Sequence, residues 1–141
     1  MTSPTPPKKS SPLLRNNSMK VRDVAFTAYA VTDLARSRKF YEDVLGLKPT
    51  VLKEGMPWIE YEIGSATLGI GVSEQWKPSR DGASIAIEVE DFDEAIAELK
   101  SKGVEFEMGP LETPVCHMAV LRDPDGSKIC IHRRKEGACY K

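Results

Sequence analysis

One short structural plan is written twice along this chain of 141 residues. Val31-Thr32-Asp33-Leu34 is answered by Val89-Glu90-Asp91-Phe92 at an offset of 58, and Gly46-Leu47 by Gly103-Val104 at 57. In each half an apolar stretch leads into an aspartate placed to cap a helix, and a glycine stops that helix. Because the order of elements repeats along with the residues, the pattern marks an internal duplication. A chain like this must fold as two equivalent units.

Periodicity says what each unit contains. Residues 24–31 are mostly apolar or small and predict a strand, and Leu34, Ser37, Tyr41, Val44 and Leu45 then follow the 3.6-residue period of a helix. Residues 58–63 alternate, with Ile59, Tyr61 and Ile63 on one face and Trp58, Glu60 and Glu62 on the other. Residues 66–72 do the same, with Leu68, Ile70 and Val72 opposed to Thr67, Gly69 and Gly71. The plan restarts at Ser84. Ile85, Ile87 and Val89 share a face, Phe92, Ala95, Ile96 and Leu99 form a helical stripe ending at Gly103, and strands are expected near 104–107, 115–122 and 127–133. The fold class is therefore α+β, two tandem βαβββ modules (about 22–72 and about 84–133) forming a curved mixed sheet around a cavity. Residues 19–134 make one domain. Residues 1–18, rich in Ser, Pro, Lys and Asn, predict a flexible tail, and 135–141 a short C-terminal one. Met19 stands just before the first strand, so either it is the true start or the tail is real.

Composition narrows the partners. With 40% hydrophobic and 29% charged residues and a formal charge of -1, nothing points to nucleic acid or an anionic membrane. No apolar run approaches the roughly 20 residues of a membrane span, and the N-terminus lacks the apolar stretch of a secretory signal. Cys116, Cys130 and Cys139 are odd in number without a framework spacing, which fits a reducing compartment, the cytoplasm. A small neutral or modestly charged ligand is the expected partner.

The residues alternating with the core-facing ones would line the cavity: Phe26, Ala28, Ala30, Trp58, Glu60, Glu62, Thr67, Gly69, Gly71, Ser84, Ala86, Glu88, Cys130 and His132. Several are small, leaving room either for a ligand stacked on Phe26 and Trp58 or for close packing between sheets or copies. Asp123-Pro124-Asp125-Gly126 predicts a hairpin turn whose symmetric register pairs His117 with His132 and Ala119 with Cys130, and buries Met118 and Val120 beside Ile129 and Ile131. Both histidines then share a face with Glu88 nearby. They act as acid and base, hold a divalent metal in an unusual position, or are ordinary strand residues at a rim. Cys116 points away from His117 and is expected in the core. The 73–83 segment, with Trp76, either covers the cavity mouth or is a linker anchored by that tryptophan.

The segments VTDLARSRKFYEDVLGL (31–47) and RDPDGSKICIH (122–132), on this duplicated layout, resemble the vicinal oxygen chelate superfamily, which includes glyoxalase I, extradiol dioxygenases and bleomycin-resistance proteins. The resemblance spans about residues 20–134. In metal-using members it implies one ligand from the first and last strand of each repeat. Those positions fall here on Phe26, Gly69, Ser84 and Cys130, none of them a competent hard-metal ligand. The resemblance thus implies a metal-free binding protein of the bleomycin-resistance kind with no cofactor, its ligand held by Phe26, Trp58, Glu60, Gly69, Ser84, Cys130 and His132. The alternative is a glyoxalase-type lyase, isomerase or dioxygenase with a non-standard site at His117, His132 and Glu88. A homodimer is also implied.

Overall fold

Asp33 and Asp91 do what their spacing predicts. Each stands in extended conformation before a helix and accepts a hydrogen bond from the backbone N–H three residues on, Arg36 at 3.1 Å and Glu94 at 3.0 Å. The computed structural model describes residues 19–137; the tail 1–18, the end of the tail 135–141 and Cys139 lie outside the described residues. The first helix, α1 (Leu34–Arg38), widens into a π-helical stretch over Lys39–Val44 before the chain turns at Gly46, whose φ is 77°. This wider winding places Phe40, absent from the expected stripe, beside Tyr41, and both are buried. The second helix, α2 (Phe92–Ser101), buries Phe92, Ile96 and Leu99 as its period requires.

Eight strands follow the duplication. β1 (Thr27–Ala30), β2 (Pro49–Leu52), β3 (Trp58–Ile63) and β4 (Ala66–Gly71) form one sheet in the order β1-β4-β3-β2. β5 (Ile85–Glu88), β6 (Met108–Glu112), β7 (Cys116–Arg122) and β8 (Lys128–Arg134) form a second in the equivalent order β5-β8-β7-β6. In each, the first strand pairs parallel with the last and all other pairs are antiparallel. The protein is thus α+β, two βαβββ modules, with the strands hydrogen-bonded as two four-stranded sheets rather than one. Ile59, Tyr61, Leu68, Ile70, Ile129 and Ile131 are buried on the faces their alternation assigned them, in a single core cluster drawing on both modules.

Two strand expectations are corrected. The sixth strand lies at Met108–Glu112, past the expected 104–107. Val104 and Phe106 satisfy their alternation by packing on the core from a loop, and the ladder starts only where the Glu107 N–H donates to the Val120 carbonyl at 2.8 Å. The second correction is the β7–β8 register. Arg122 pairs with Lys128, so the loop holds five residues rather than four, and His132 faces Met118 while His117 faces Arg133. The extra residue is stabilised inside the turn: Asp123 Oδ1 accepts from the N–H groups of Asp125 (2.9 Å) and Ser127 (2.8 Å), and Gly126 takes a φ of 94°. A slip of one residue reverses every side chain. Ala119 and Leu121 are therefore in the core, while Met118, Val120, Cys130 and His132 share the opposite, concave face.

The same turn locks the modules together. The buried Tyr41 hydroxyl donates to Asp123 Oδ2 at 2.7 Å. Asp125 takes the Thr32 hydroxyl at 2.6 Å, the Thr32 N–H at 3.2 Å and Arg36 Nη2 at 2.9 Å. Tyr29 completes the joint: its hydroxyl donates to the Lys128 carbonyl and accepts from the Ile85 N–H, both at 2.7 Å, and burial pushes the phenol up to about 12. Within the first module, Arg38 grips Glu42 with Nε and Nη2, and the Tyr61 hydroxyl donates to the same carboxylate at 2.9 Å.

Removing the Tyr41 hydroxyl leaves a buried carboxylate oxygen short of a donor, so Tyr41→Phe is expected to lower stability by about 1–3 kcal/mol in urea denaturation, with the fold retained. Glu42 is held below the usual carboxylate range chiefly by Arg38. Its contribution is present above the ordinary value of 4.5 and is lost as pH falls through the depressed one. Glu42→Gln should therefore be less stable than the parent near neutrality, and the gap should close in acid; a gap independent of pH in chemical denaturation would contradict this.

Candidate functional site

The concave face of the first sheet is built from what its strands lack. β4 presents Gly69 and Gly71, and across the ladder stand Glu60 and Trp58. With no side chain beneath it, the Trp58 indole lies flat over both glycines: a Cβ on Gly69 would fall 2.4 Å from its Cζ2 and one on Gly71 2.7 Å from its Cε3. Its Nε1 donates to Glu60 Oε2 at 2.7 Å, fixing the ring. Phe26 meets the indole edge-on, centroids 5.0 Å apart at 66°, and Trp76 lies over it at 6.5 Å and 33°. Phe26 is 47% exposed and Trp76 38%, an unusual outlay of aromatic surface to water. Beside Trp76, a cavity of about 160 Å³ runs along β1, lined by Ala28, Ala30, Lys77, Ser79 and Ser84 among others.

The second sheet's concave face carries a different chemistry. β5 and β8 run parallel with Glu88 beside His132, and Nδ1 of His132 lies 2.6 Å from Glu88 Oε1. Glu88 Oε2 accepts from the Arg134 N–H at 2.7 Å and lies 3.5 Å from Arg133 Nη1. Burial works to raise the Glu88 carboxyl, but the Arg134 N–H and His132 together hold it below the usual range. His132 Nε2 takes no hydrogen bond among the described residues. Cys130, one rung along, is buried and its thiol is pushed up by that burial, so it is held as an uncharged, weakly reactive group.

The expected site residues thus separate. Phe26, Trp58, Glu60 and Gly69 form one group, Glu88 and His132 another, and Ser84 lines the cavity between β1 and the 73–83 segment. His117 is on the helix side of its sheet, its ring 5.6 Å from Phe92, so the expected histidine pair does not form. Cys116 is buried and points away from His117, as adjacent strand residues must. Trp76 is the member that strand alternation could not find, because it comes from the linker; its one sequence signal is a large aromatic stranded among polar loop residues.

The four positions at which a metal would be held do not fit one. Phe26 offers a hydrocarbon ring, Gly69 lies under an indole, Ser84 offers one hydroxyl, and Cys130 is a buried neutral thiol. No group of three His, Cys, Asp or Glu residues able to hold an ion occurs among the described residues. A family model for the glyoxalase/bleomycin resistance protein/dioxygenase superfamily matches residues 23–131. The chain belongs to this superfamily. Lactoylglutathione lyase of Haemophilus influenzae is 31% identical over 119 residues, covering 75% of this chain and 88% of that protein. Among solved structures, an antibiotic binding protein from Streptomyces superposes with a TM-score of 0.69 at 22% identity, covering 83% of this chain and 99% of that one. A glyoxalase/dioxygenase from Nostoc punctiforme does so at 0.68 and 20% identity, covering 86% and 100%. These two likenesses establish the superfamily fold, which hosts more than one kind of chemistry. No helix among the described residues is long and apolar enough to cross a membrane.

The indole seat is open to direct measurement. In a Trp76→Phe background, Gly69→Ala is expected to lift the Trp58 ring off the sheet, shifting its fluorescence emission to the red at a stability cost of about 1–3 kcal/mol. Emission unchanged from the Trp76→Phe parent would mean the ring does not rest there.

Proposed function

We propose that this superfamily member binds a small organic molecule on its concave faces and does so without a divalent metal. The observation carrying this reading is Trp58 lying over Gly69, which puts an aromatic binding surface at one of the positions where metal-using relatives would present a ligand. Residues 19–134 act as the binding unit, in the cytoplasm. The fold shared with an antibiotic binding protein supports binding as a role for this scaffold.

A second reading is favoured by the 2.6 Å contact between His132 and Glu88. A carboxylate on Nδ1 orients the imidazole and leaves Nε2 without a partner among the described residues, which suits His132 as a general base in a lyase or isomerase reaction on a small carbonyl compound. The lactoylglutathione lyase relatives support that class of activity. His117 has no part in it, since it lies on the other face.

Both readings leave apolar side chains in water on the open faces, including Val51, Met108 and Leu111. A second copy of the chain is the partner proposed to cover them, and light scattering on the purified protein should return a dimer mass.

A thermal-shift screen of small organic molecules, run with and without EDTA and divalent metals, tests the leading reading. Binding restricted to the folded state raises the melting temperature. At least one organic compound is expected to do so equally in EDTA. One tightly bound metal per chain in elemental analysis, lost together with an activity on His132→Ala, would overturn the metal-free reading in favour of a catalytic site.

A further inference from the structure

The first sheet's concave face also says what kind of molecule it suits. Resting on the reading of a small-molecule binding protein, we infer that the Phe26–Trp58–Trp76 platform with Glu60 recognises a flat aromatic ring system carrying a positive charge.

Three observations converge. Trp58 and Trp76 face each other at 6.5 Å and 33°, near the far limit for a direct aromatic pair. A modest displacement of Trp76, which is joined to its own linker through the Ser73 carbonyl at 3.3 Å, opens a slot between two indoles. Phe26 packs against Trp58 at 5.0 Å with its ring inclined at 66°, adding a third aromatic side chain to the surface. Only a flat ligand makes full contact with such walls, and the glycines under Trp58 bring the platform close to the sheet backbone.

The charge follows from Glu60. Its carboxylate accepts the Trp58 indole N–H at 2.7 Å, and no Lys or Arg pairs with it among the described residues. A carboxylate on the indole nitrogen pushes electron density into the ring, which strengthens the negative potential over its face, the feature that attracts cations. Glu62 follows on the same face of β3, exposed and also without a basic partner among the described residues. Lys77 lines the adjoining cavity beyond Trp76 rather than the Trp58–Glu60 pair. Aromatic faces and uncompensated carboxylates together favour a cationic ring over a neutral or anionic ring of the same shape.

Matched probes separate shape from charge. N-methylquinolinium, quinoline at a pH where it is uncharged, and naphthalene-2-sulfonate present similar ring systems with positive, zero and negative charge. In isothermal titration calorimetry, N-methylquinolinium is expected to bind once per chain and roughly tenfold more tightly than quinoline, with the sulfonate weakest. Glu60→Gln keeps the shape of the side chain and an acceptor for the indole N–H, and should reduce the cation's advantage over quinoline to about threefold or less. Trp76→Phe should weaken all ring binding, and the melting temperature of each variant reports that it is folded. Equal affinity of the parent for the cation and quinoline, or a preference still above about threefold in Glu60→Gln, overturns the charge assignment while leaving a ring-binding site standing. Failure of every ring probe to bind overturns the platform itself. A thermal shift with organic molecules that carry no aromatic ring would leave small-molecule binding standing even then.

Discussion

Two aspartates in one turn hold this molecule together. Asp123 is buried among groups from both modules, taking a hydroxyl from Tyr41 of the first and two backbone N–H groups from its own loop. Burial raises its carboxyl, and the three donors offset part of that cost. Asp125, three Å or less from Thr32 Oγ1 and Arg36 Nη2, anchors the start of the first helix to the same turn. The turn therefore does three jobs through short polar contacts: it sets the β7–β8 register, it fixes which face of β7 is concave, and it joins the two repeats. An apolar contact, which has no direction, would not impose a register in this way.

From that register the chemistry of the second concave face follows. The β5–β8 pairing puts His132 beside Glu88, and with five residues in the loop His117 turns toward α2 instead of joining it. The result is one histidine with an oriented imidazole rather than two sharing a proton or an ion. The first concave face has no counterpart to this dyad. Its strands present glycine where the equivalent strand β8 presents Cys130 and His132, and the vacated surface is filled by an indole. The duplicated modules have thus diverged on the concave side, one toward aromatic surface and one toward a titratable pair, while keeping the same strand order.

Much of the fold was legible from periodicity. The helix caps at Asp33 and Asp91, the stops at Gly46 and Gly103, and the core faces of β3, β4, β5 and β8 all depend on local residue type and on alternation, which the chain carries openly. Phe40 was not legible, because a π-helical stretch departs from the period used to read a helix. The hairpin register was not legible either. Four turn residues fit Asp-Pro-Asp-Gly well, and the fifth is accommodated by the Asp123 carboxylate, which takes the Asp125 and Ser127 N–H groups while its other oxygen is held by Tyr41, 82 residues earlier in the chain.

The candidate site divides along the same line. By itself the sequence determined the duplication, the α+β modules, the small and aromatic character of the concave residues and the lack of hard-metal donors at Phe26, Gly69, Ser84 and Cys130, since each of these depends on residue identity or short-range spacing. Only the tertiary structure decided that Trp58 lies across two glycines, that Trp76 reaches back from the linker to join it, and that His132 pairs with Glu88 instead of His117. Those are contacts between segments distant in sequence. Their geometry is fixed by sheet register and by buried polar bonds, neither of which leaves a periodic trace in the order of the residues.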